Sequence, residues 1–527
     1  MYPAYQSFLV LGLSRSGVAA ADFLLSKQAE VFVYDDVRGG AVQRAVNALV
    51  EKGAKSVREE DLPYMLEKCD ALVLSPGIPV DHKLAVAFRR RKKAVIGETE
   101  LAARYLKCCI IAVTGTNGKT TTVSMIADIL TADKKTAKAC GNIGTPMLLR
   151  RELSENDVAV AEISSFQLET LSSLRPHIAA VLNISEDHLN RHYNMENYVY
   201  LKSRLLKNCA ETEYAVLNRD DEIVRTFADK TKARIVWFSR REKVNGAYVE
   251  NGDICFNGER VVPLSALSLP EEHNIENALA AVACAKIMRA SNEAIRSALQ
   301  NFKGAPHRIE VAGTVDGVTY IDDSKGTNVD STLRAAQCMK NDTVLLLGGK
   351  DKGYDYAPLF SALKTTRVVR CVLYGENAFK LLESAMRAGY GNVTLTEKFD
   401  YAVKIARLIA SPGQTVLLSP ASASFDEFSS YEERGDTFVS VVRAWQNEEL
   451  TTRRERRAEQ AEKPADETDN SDGAGKEIAA NGSNAANAAE DAKGAEVSGN
   501  IFANSDESDG CFHCDRAQGR RSGEEEE

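Results

Sequence analysis

The sequence predicts an α/β protein with three successive domains, each a mostly parallel sheet covered by helices, followed by a tail of different character. Short apolar strands alternate with helical stretches along residues 1–450, which is the pattern of such sheets. The chain has 527 residues, enough for three or four domains of ordinary size. After residue 450, Ala, Glu, Asp, Asn, Gly and Ser dominate, and sizeable apolar residues are few.

The first region, residues 1–100, begins like a nucleotide-binding α/β unit. The strand SFLVLGL leads into the turn SRSG and a helical stretch, and the next strand ends at Asp35 and Asp36. A later strand, ALVLSPGI, ends in the turn Ser75-Pro76-Gly77. A turn of this kind is weak evidence by itself, so the ligand of this region stays open at this point.

The second region, residues 101–303, carries the strongest local signal. The segment TGTNGKTTT (Thr114–Thr122) directly follows the apolar strand CCIIAV. A Gly-rich loop exposes backbone N–H groups to phosphate, and the helix after it adds the positive end of its dipole. Lys119 is predicted to reach the β- and γ-phosphates and Thr120 to ligate magnesium. A tight structural turn is the alternative, and Val113 departs from the standard Walker pattern, which has Gly there.

The third region, residues 304–450, alternates again through TVLLLGG, RCVLYG and TVLLSPA. Residues 451–527 offer too little apolar surface to offset the entropy of ordering, so they are predicted to form a disordered acidic tail. The tail contains Cys511, His513 and Cys514. Three possible ligands in one short stretch, without a second pair, are a weak zinc signal.

Composition excludes several classes of protein. A net charge of −9 argues against general nucleic-acid binding, which needs clustered Lys and Arg. No apolar run is long enough to span a bilayer, so no membrane insertion is expected. The N-terminus lacks the features of a secretory signal. The eleven cysteines stand mostly as singles in apolar stretches, which favours reduced thiols in a cytoplasmic protein.

Seven further blocks stand in the order found in the Mur ligase family, which this chain resembles over almost all of residues 1–445. The GTNGKT loop is the variant shared by Mur ligases and folylpolyglutamate synthetases. DDSKGTN and SPASASFDEFSSYEERG resemble the D-glutamate-adding members in particular, since other members usually carry a His-Asn-Pro or His-His-Pro motif at the first position. The seven blocks are GNIGTP, EISSFQLE, NISEDHLNRH, HNIENALAA, PHRIE, DDSKGTN and SPASASFDEF.

The resemblance implies a Rossmann-like N-terminal domain for a UDP-linked precursor (1–100), a central P-loop ATPase domain (101–303) and a Rossmann-like C-terminal domain for amino acid and nucleotide (304–450). It implies ligation of D-glutamate to UDP-N-acetylmuramoyl-L-alanine through an acyl phosphate, with ATP and Mg²⁺, in a monomer. The alternatives are another amino-acid-adding Mur ligase, a folylpolyglutamate synthetase, or a non-catalytic nucleotide sensor of the same fold. The presence of Lys119, Glu162 and Lys202 disfavours the last.

The resemblance also implies roles for individual residues. Glu162, at the end of the strand VAVAE, and His188 match metal ligands of the family, and Lys202 matches a lysine that carries a carbamate. The predicted catalytic residues are Lys119, Lys202, His188 and Glu162, and the predicted metal ligands are Thr120, Glu162, His188 and carbamylated Lys202. The ATP-binding candidates are Gly115, Thr116, Asn117, Gly118, Lys119, Thr120, Thr121, Asn274, Asn277, Arg308 and Asp323.

Two substrate sites complete the set. Lys350 stands where some family members have an acid. After the second strand, Val37 holds the place of an expected basic residue and Arg38 follows it, so the contacts at both places are less defined. The UDP-precursor candidates are Ser14, Arg15, Ser16, Asp35, Asp36, Ser75, Pro76, Gly77 and Asn142. The D-glutamate candidates are Lys325, Thr327, Lys352, Ser424 and Phe425, with Tyr431 as a further aromatic wall or, equally, a core residue.

Overall fold

The computed structural model describes residues 5–37 and 39–461, with side chains up to residue 452. Arg38 and the cluster Cys511, His513 and Cys514 therefore lie outside the described residues. Three sheets organise the described chain, and the predicted α/β class is confirmed. The first sheet lies in residues 7–96, the second in 109–263 and the third in 310–418. The domain boundaries near residues 100 and 303 remain predictions.

The first sheet has five parallel strands in the order β3-β2-β1-β4-β5. Its central strand is entirely buried because every residue of SFLVL packs against helices on one face or the other. The strand order reverses beside β1, and such a switch point opens a crevice at the carboxyl ends of the strands. The strands are β1 (Ser7–Leu11), β2 (Glu30–Tyr34), β3 (Lys55–Ser56), β4 (Ala71–Leu74) and β5 (Ala94–Ile96), and the helices are α1 (Arg15–Ser26), α2 (Gly40–Glu51), α3 (Leu62–Lys68), α4 (Lys83–Arg90) and α5 (Glu98–Tyr105).

The second sheet has nine strands in the order β14-β13-β12-β11-β10-β9-β6-β8-β7. It is parallel from β7 to β12, and β13 and β14 extend it with antiparallel pairs. The strands are β6 (Cys109–Thr114), β7 (Ala137–Gly141), β8 (Val158–Glu162), β9 (Ile178–Val181), β10 (Tyr214–Asn218), β11 (Arg234–Ser239), β12 (Gly246–Glu250), β13 (Asp253–Phe256) and β14 (Glu259–Pro263). The helices are α6 (Lys119–Ala132), α7 (Ser165–Leu168), α8 (Leu189–His192), α9 (Met195–Ser203), α10 (Glu222–Arg225), α11 (Glu272–Ile287) and α12 (Asn292–Asn301).

The third sheet has six strands in the order β15-β16-β20-β17-β18-β19, with only the β15–β16 pair antiparallel. The strands are β15 (Glu310–Val315), β16 (Val318–Asp322), β17 (Thr343–Gly348), β18 (Val368–Tyr374), β19 (Val393–Leu395) and β20 (Thr415–Leu418). The helices are α13 (Val329–Gln337), α14 (Ala357–Leu363), α15 (Ala378–Arg387), α16 (Phe399–Ile409) and α17 (Tyr431–Ala461).

The start of the tail needs a correction. Helix α17 runs to Ala461, so residues 451–461 are helical rather than part of a disordered segment. Their sequence, TTRRERRAEQA, is rich in Arg, Glu, Ala and Gln, which favour helix even where they bury little apolar surface. Apolar content alone therefore placed the boundary too early. The remaining tail, residues 462–527, lies outside the described residues.

Two further expectations can be compared with the structure. The nine cysteines between Cys69 and Cys371 are free thiols, and seven of them are buried. No helix among the described residues has the length and apolar character needed to cross a membrane.

Candidate active site

The P-loop joins β6 to α6, as the sequence predicted. Gly118 has a φ of 82°, and a Cβ at this position would lie 2.1 Å from Asn277 Oδ1, so only glycine fits between the loop and α11. Lys119 Nζ donates to the carbonyl oxygens of Gly115 (2.9 Å) and Thr116 (2.7 Å). Burial lowers the pKa of Lys119. The loop thus keeps a cation at the N-terminal end of α6, which is where an anion is stabilised.

Glu162 ends β8 beside this loop. Its Oε2 accepts a hydrogen bond from Thr120 Oγ1 at 2.8 Å, and its Oε1 accepts one from Asn142 Nδ2 at 2.8 Å. Asn142, a predicted residue of the precursor site, thus contacts the carboxylate of Glu162, and its role in precursor binding remains a prediction. The loop that Asn142 begins continues through Gly144 to a cleft that it shares with the first domain.

The oxygens of Thr120 and Glu162 fit a magnesium ion. Two adjacent ligands of an octahedral Mg²⁺ are about 2.9 Å apart, since each lies roughly 2.1 Å from the ion. The observed separation of 2.8 Å between Thr120 Oγ1 and Glu162 Oε2 matches that spacing. No group of three or more His, Cys, Asp or Glu side chains suited to a metal occurs in the described part of the chain. A magnesium ion here would therefore complete its coordination with other oxygens.

His188 begins α8 in a left-handed conformation, with a φ of 55°. It lines the same cleft as Thr120 and Glu162. Burial lowers its pKa to about 3, so the imidazole is neutral near pH 7 and can act as a ligand. Its ring lies 4.8 Å from the ring of Phe166, which restricts its orientation.

Lys202 is 1% exposed and lies below the P-loop. Its Nζ donates to Gly115 O at 2.5 Å and to Thr114 Oγ1 at 3.4 Å. Burial, followed by the neighbouring charge of Lys119, lowers the pKa of Lys202 well below its usual value. A neutral amine is the form that reacts with carbon dioxide, so this environment suits the predicted carbamate.

The ATP-base candidates converge on a second cleft next to the P-loop. Asn274, Asn277 and Arg308 line it together with Asn117, Gly118 and Thr121. Asp323 lies behind this cleft, fully buried, with one oxygen accepting from Ser419 Oγ at 2.7 Å. Its other oxygen, Oδ1, has no hydrogen-bond partner among the described residues and lies 3.7 Å from Arg308 Nη1. Burial raises the pKa of Asp323 to about 6.

The D-glutamate candidates divide into two groups. Lys325 and Thr327 line the cleft that holds Lys119 and Glu162. Lys325 Nζ donates to Tyr431 Oη at 3.0 Å, and burial lowers the pKa of Lys325 to about 8.

Ser424 and Phe425 are not among the residues that line this cleft. Ser424 is buried, and Phe425 is 68% exposed. Both follow a strand end in the sequence, but the loop turns after Ser424, where the amides of Glu427 and Phe428 donate to its carbonyl oxygen.

Lys352, the remaining candidate, is held by a residue that the sequence did not single out. Its Nζ lies 3.2 Å from Asp187 Oδ1 and 3.4 Å from Thr327 Oγ1. Tyr354 also donates to Asp187. Lys352, followed by His188, holds the pKa of the Asp187 carboxyl well below its usual range, although burial opposes this. The sequence SEDH shows that Asp187 stands between Glu186 and His188. No local pattern, however, connects Asp187 to a lysine 165 positions away.

The first-domain candidates meet at the carboxyl ends of β1, β2 and β4. Ser14 Oγ and Ser75 Oγ are 2.9 Å apart. Asp35 accepts the backbone N–H groups of Leu13 (2.7 Å) and Val37 (2.9 Å), so it also stabilises the turn itself. Ser14 and Arg15 face the cleft shared with the central domain, while Asp35 lines a separate one, and Asp36 lies 3.1 Å from His82 Nε2. Pro76 and Gly77 form the turn after β4, and Ser16 lies in the first turn of α1.

Arg434 lies in the block SPASASFDEFSSYEERG, but the sequence alone indicated no role for it. It is fully buried and donates to Ser324 O at 2.9 Å, Ser324 Oγ at 3.0 Å and Ser422 O at 3.3 Å. These bonds tie the DDSKGTN loop to the SPASAS loop. A guanidinium with five donors suits several carbonyls at once, so Arg434 maintains the shape of the wall that carries Lys325.

Comparisons with known proteins agree with this geometry. Residues 6–97 match the family described as Mur ligase MurD-like, N-terminal domain, residues 113–285 match Mur ligase middle domain, and residues 307–422 match Mur ligase, glutamate ligase domain. A P-loop domain between two Rossmann-like domains, with cationic residues facing the loop, is the architecture of the Mur ligases. The chain belongs to the Mur ligase family.

Two relatives that are similar over most of this chain carry the same name. A Pelotomaculum thermopropionicum protein named UDP-N-acetylmuramoylalanine--D-glutamate ligase is 41% identical over 447 residues, covering 82% of this chain and 96% of that relative. A Koribacter versatilis protein of the same name is 40% identical over 447 residues, covering 84% and 98%. Among solved structures, UDP-N-acetylmuramate-alanine ligase MurC from Thermotoga maritima is similar with a TM-score of 0.57 at 18% identity, covering 84% and 99%. The last likeness concerns the fold alone.

Proposed function

We propose that this protein joins D-glutamate to UDP-N-acetylmuramoyl-L-alanine with ATP, forming an amide bond and releasing ADP and phosphate in peptidoglycan precursor synthesis. The observation that carries the proposal is the single cleft lined by Lys119, Glu162 and His188 on one side and by Lys325 and Thr327 on the other. A cleft lined by both the P-loop and Lys325 supports binding of phosphate and of an amino-acid carboxylate close together. The names of the relatives supply the substrate identities.

The first step activates a poor electrophile. The terminal carboxylate of the precursor attacks the γ-phosphorus of ATP, the bond from that phosphorus to the bridging oxygen breaks, and ADP leaves with the electron pair. Charge spreads over the transferred phosphoryl oxygens, so cations and backbone N–H groups around them stabilise the transition state. Lys119 and the loop residues Gly115 to Thr120 supply these groups. Magnesium, when bound, neutralises phosphate charge, and Thr120, Glu162 and His188 would hold it.

The second step forms the amide. The neutral amine of D-glutamate attacks the acyl carbon, phosphate leaves with the electrons of the carbon–oxygen bond, and the nitrogen loses one proton to solvent. We propose that Lys325, Thr327 and Lys352 bind the carboxylates of D-glutamate, since Lys and hydroxyl donors form charge-assisted bonds with carboxylates. Lys352 already contacts a carboxylate, that of Asp187. A substrate carboxylate would share or replace this partner.

We further propose that Lys202 acts as a carbamate. A carbamate nitrogen keeps one N–H, which could retain the hydrogen bond to Gly115 O while its carboxylate group faces the metal. A magnesium requirement, a monomeric state and a cytoplasmic location also belong to this proposal.

Amino-acid selectivity tests the proposal directly. With UDP-N-acetylmuramoyl-L-alanine, ATP and magnesium, we expect D-glutamate to support strong phosphate release and an amide product of the corresponding mass. L-glutamate, L-alanine and lysine should give little turnover. Equal or better turnover with L-alanine or lysine would point to another amino-acid-adding Mur ligase, and turnover with a folate substrate would point to a folylpolyglutamate synthetase.

A matched pair of lysines tests the amino-acid site. Lys352→Ala removes a lysine whose side chain is 7% exposed, whereas Lys350→Ala removes one that is 48% exposed and pairs with Glu376. Loss of a charge-assisted bond of roughly 1.5–3 kcal/mol should raise the KM for D-glutamate about 10- to 100-fold in Lys352→Ala. Lys350→Ala should stay near wild type, because exposed pairs contribute little. Equal effects of the two substitutions would contradict the assignment of Lys352.

A further inference from the structure

We infer that Arg191 is a positioning residue, which fixes the turn Ser75–Ile78 of the first domain against the central domain so that the precursor carboxylate meets the phosphate site. This turn is called the substrate turn below. The inference rests on the proposed function, because it concerns the placement of the UDP-linked precursor. It is carried by the contacts of Arg191 and by the strained helix on which Arg191 lies.

Arg191 connects two domains through one guanidinium group. Its Nε and Nη2 bind Glu169 at 3.0 and 2.6 Å, in a bidentate pair within the central domain. Nη2 also donates to Ile78 O at 2.9 Å, and weaker contacts of 3.4 Å reach Pro76 O and Gly77 O. The side chains of Arg191 and Glu169 are 12% and 6% exposed, and the guanidinium lies 4.9 Å from the Phe166 ring centroid. Contacts within the central domain therefore fix the orientation of the Arg191 guanidinium, and the same group also contacts the substrate turn.

Helix α8 (Leu189–His192) carries Arg191, and His188 is its N-cap residue. Non-glycine residues with positive φ stand at both ends of it, His188 at 55° and Tyr193 at 70°. Such conformations cost energy and persist where the surroundings hold them, often at functional sites. Tyr193 Oη donates to Asp81 Oδ2 at 2.5 Å, which is a second link to the first domain. A shift of Arg191 relative to the substrate turn thus changes the distance between His188 and the first domain.

The substrate turn also contacts Ser14, a residue of the predicted precursor site. Ser75 Oγ lies 2.9 Å from Ser14 Oγ. A Cβ on Gly12 would lie 2.8 Å from both Ser75 Cβ and Ile78 Cδ1, so the two turns pack without free space. Contacts therefore run without interruption from the phosphate site through Arg191 and the substrate turn to Ser14. Because reacting groups must be placed within a fraction of an ångström, this chain of contacts affects turnover more than binding.

Arginine is required for this arrangement by its shape. A planar guanidinium binds a carboxylate with two parallel bonds and still has donors for carbonyl oxygens, whereas a lysine ammonium acts as a point charge. Arg191→Lys keeps the charge but cannot maintain the fork, and Glu169→Gln keeps the arginine but removes the carboxylate that orients it. Tyr193→Phe is the matched control, because it changes the other link from the same helix, at a residue that is 70% exposed.

The experiment compares these variants as full-length proteins. In Arg191→Lys we expect kcat to fall at least tenfold, with the KM for ATP and the magnesium dependence within twofold of wild type. The Kd for the UDP-linked precursor, measured calorimetrically without ATP, should stay within threefold. Hydrogen–deuterium exchange should be faster across the substrate turn and unchanged in β1. Glu169→Gln should show the same pattern more weakly, and Tyr193→Phe should keep kcat within twofold.

Several results would overturn the inference. One is wild-type kcat in both Arg191→Lys and Glu169→Gln, and another is a changed magnesium dependence, which would mean that Arg191 acts on the metal site instead. If Arg191→Lys fails to fold, Glu169→Gln decides. A wild-type enzyme that does not use the UDP-linked precursor refutes the proposed function, and the exchange measurement then decides separately whether Arg191 holds the substrate turn.

Discussion

Replacement of Lys119 by alanine is expected to lower kcat by roughly 10³-fold, the scale observed when a key charge-stabilising donor is removed from an active site. Lys119 Nζ is the cation at the P-loop, held by Gly115 O and Thr116 O. In the transition state it would face the β- and γ-phosphates, where charge moves during transfer. Phosphate release with D-glutamate and the UDP-linked precursor measures the effect.

The controls separate chemistry from folding. Lys138→Ala, at an exposed lysine on β7, should keep normal turnover and shows the effect of losing a lysine elsewhere in the domain. Circular dichroism and thermal melting should show that Lys119→Ala is folded. Near-normal turnover in a folded Lys119→Ala protein would mean that the loop has only a structural role.

Replacement of Lys202 should have an effect of similar size. Lys202→Ala is expected to be folded and nearly inactive, because the proposed carbamate, which would help to orient the γ-phosphate, would be lost. A protonated lysine would repel magnesium, whereas a carbamate attracts it. Lys202→Arg should also be inactive, since a guanidinium keeps a positive charge and cannot be carbamylated. Native mass spectrometry of the wild-type protein should detect the added mass of one carbon dioxide.

Chemical rescue makes the Lys202 prediction specific. Short carboxylic acids such as acetate should partly restore Lys202→Ala, by placing an anion where the carbamate would be, and should not restore Lys119→Ala. High activity in Lys202→Arg would contradict the carbamate, because a plain cation would then suffice.

Much of the fold and part of the site follow from local sequence patterns. Neighbouring residues in the sequence are enough to predict the strand before the P-loop, the glycines of the loop and the acid at the end of β8. In the structure, Thr120 and Glu162 are in hydrogen-bond contact. Parallel strands end at one edge of a sheet, so residues that follow them come together even when they are distant in sequence. The roles of these residues remain predictions, although their convergence required no knowledge of domain packing.

Other parts of the site could not be obtained in this way. No local pattern indicated that Asn142 donates to Glu162 or that Phe425 is largely exposed. A motif specifies residue types, but the direction of a loop after a strand depends on the hydrogen bonds that the loop forms with the rest of its domain. The helical residues 451–461 were missed for a different reason, since helix propensity competes with low apolar content and only the structure decides between them.

The sequence by itself determined the α/β architecture, the P-loop and the family, because strand periodicity, glycine turns and ordered motifs are local properties of the chain. The tertiary structure alone decided that Asp187 pairs with Lys352 and that Arg191 joins Glu169 to the carbonyls of the substrate turn. The Asp187–Lys352 contact and the Arg191–Ile78 contact each cross from one domain to another, between residues separated by more than a hundred positions. Their geometry depends on how whole domains pack, and no local pattern encodes it.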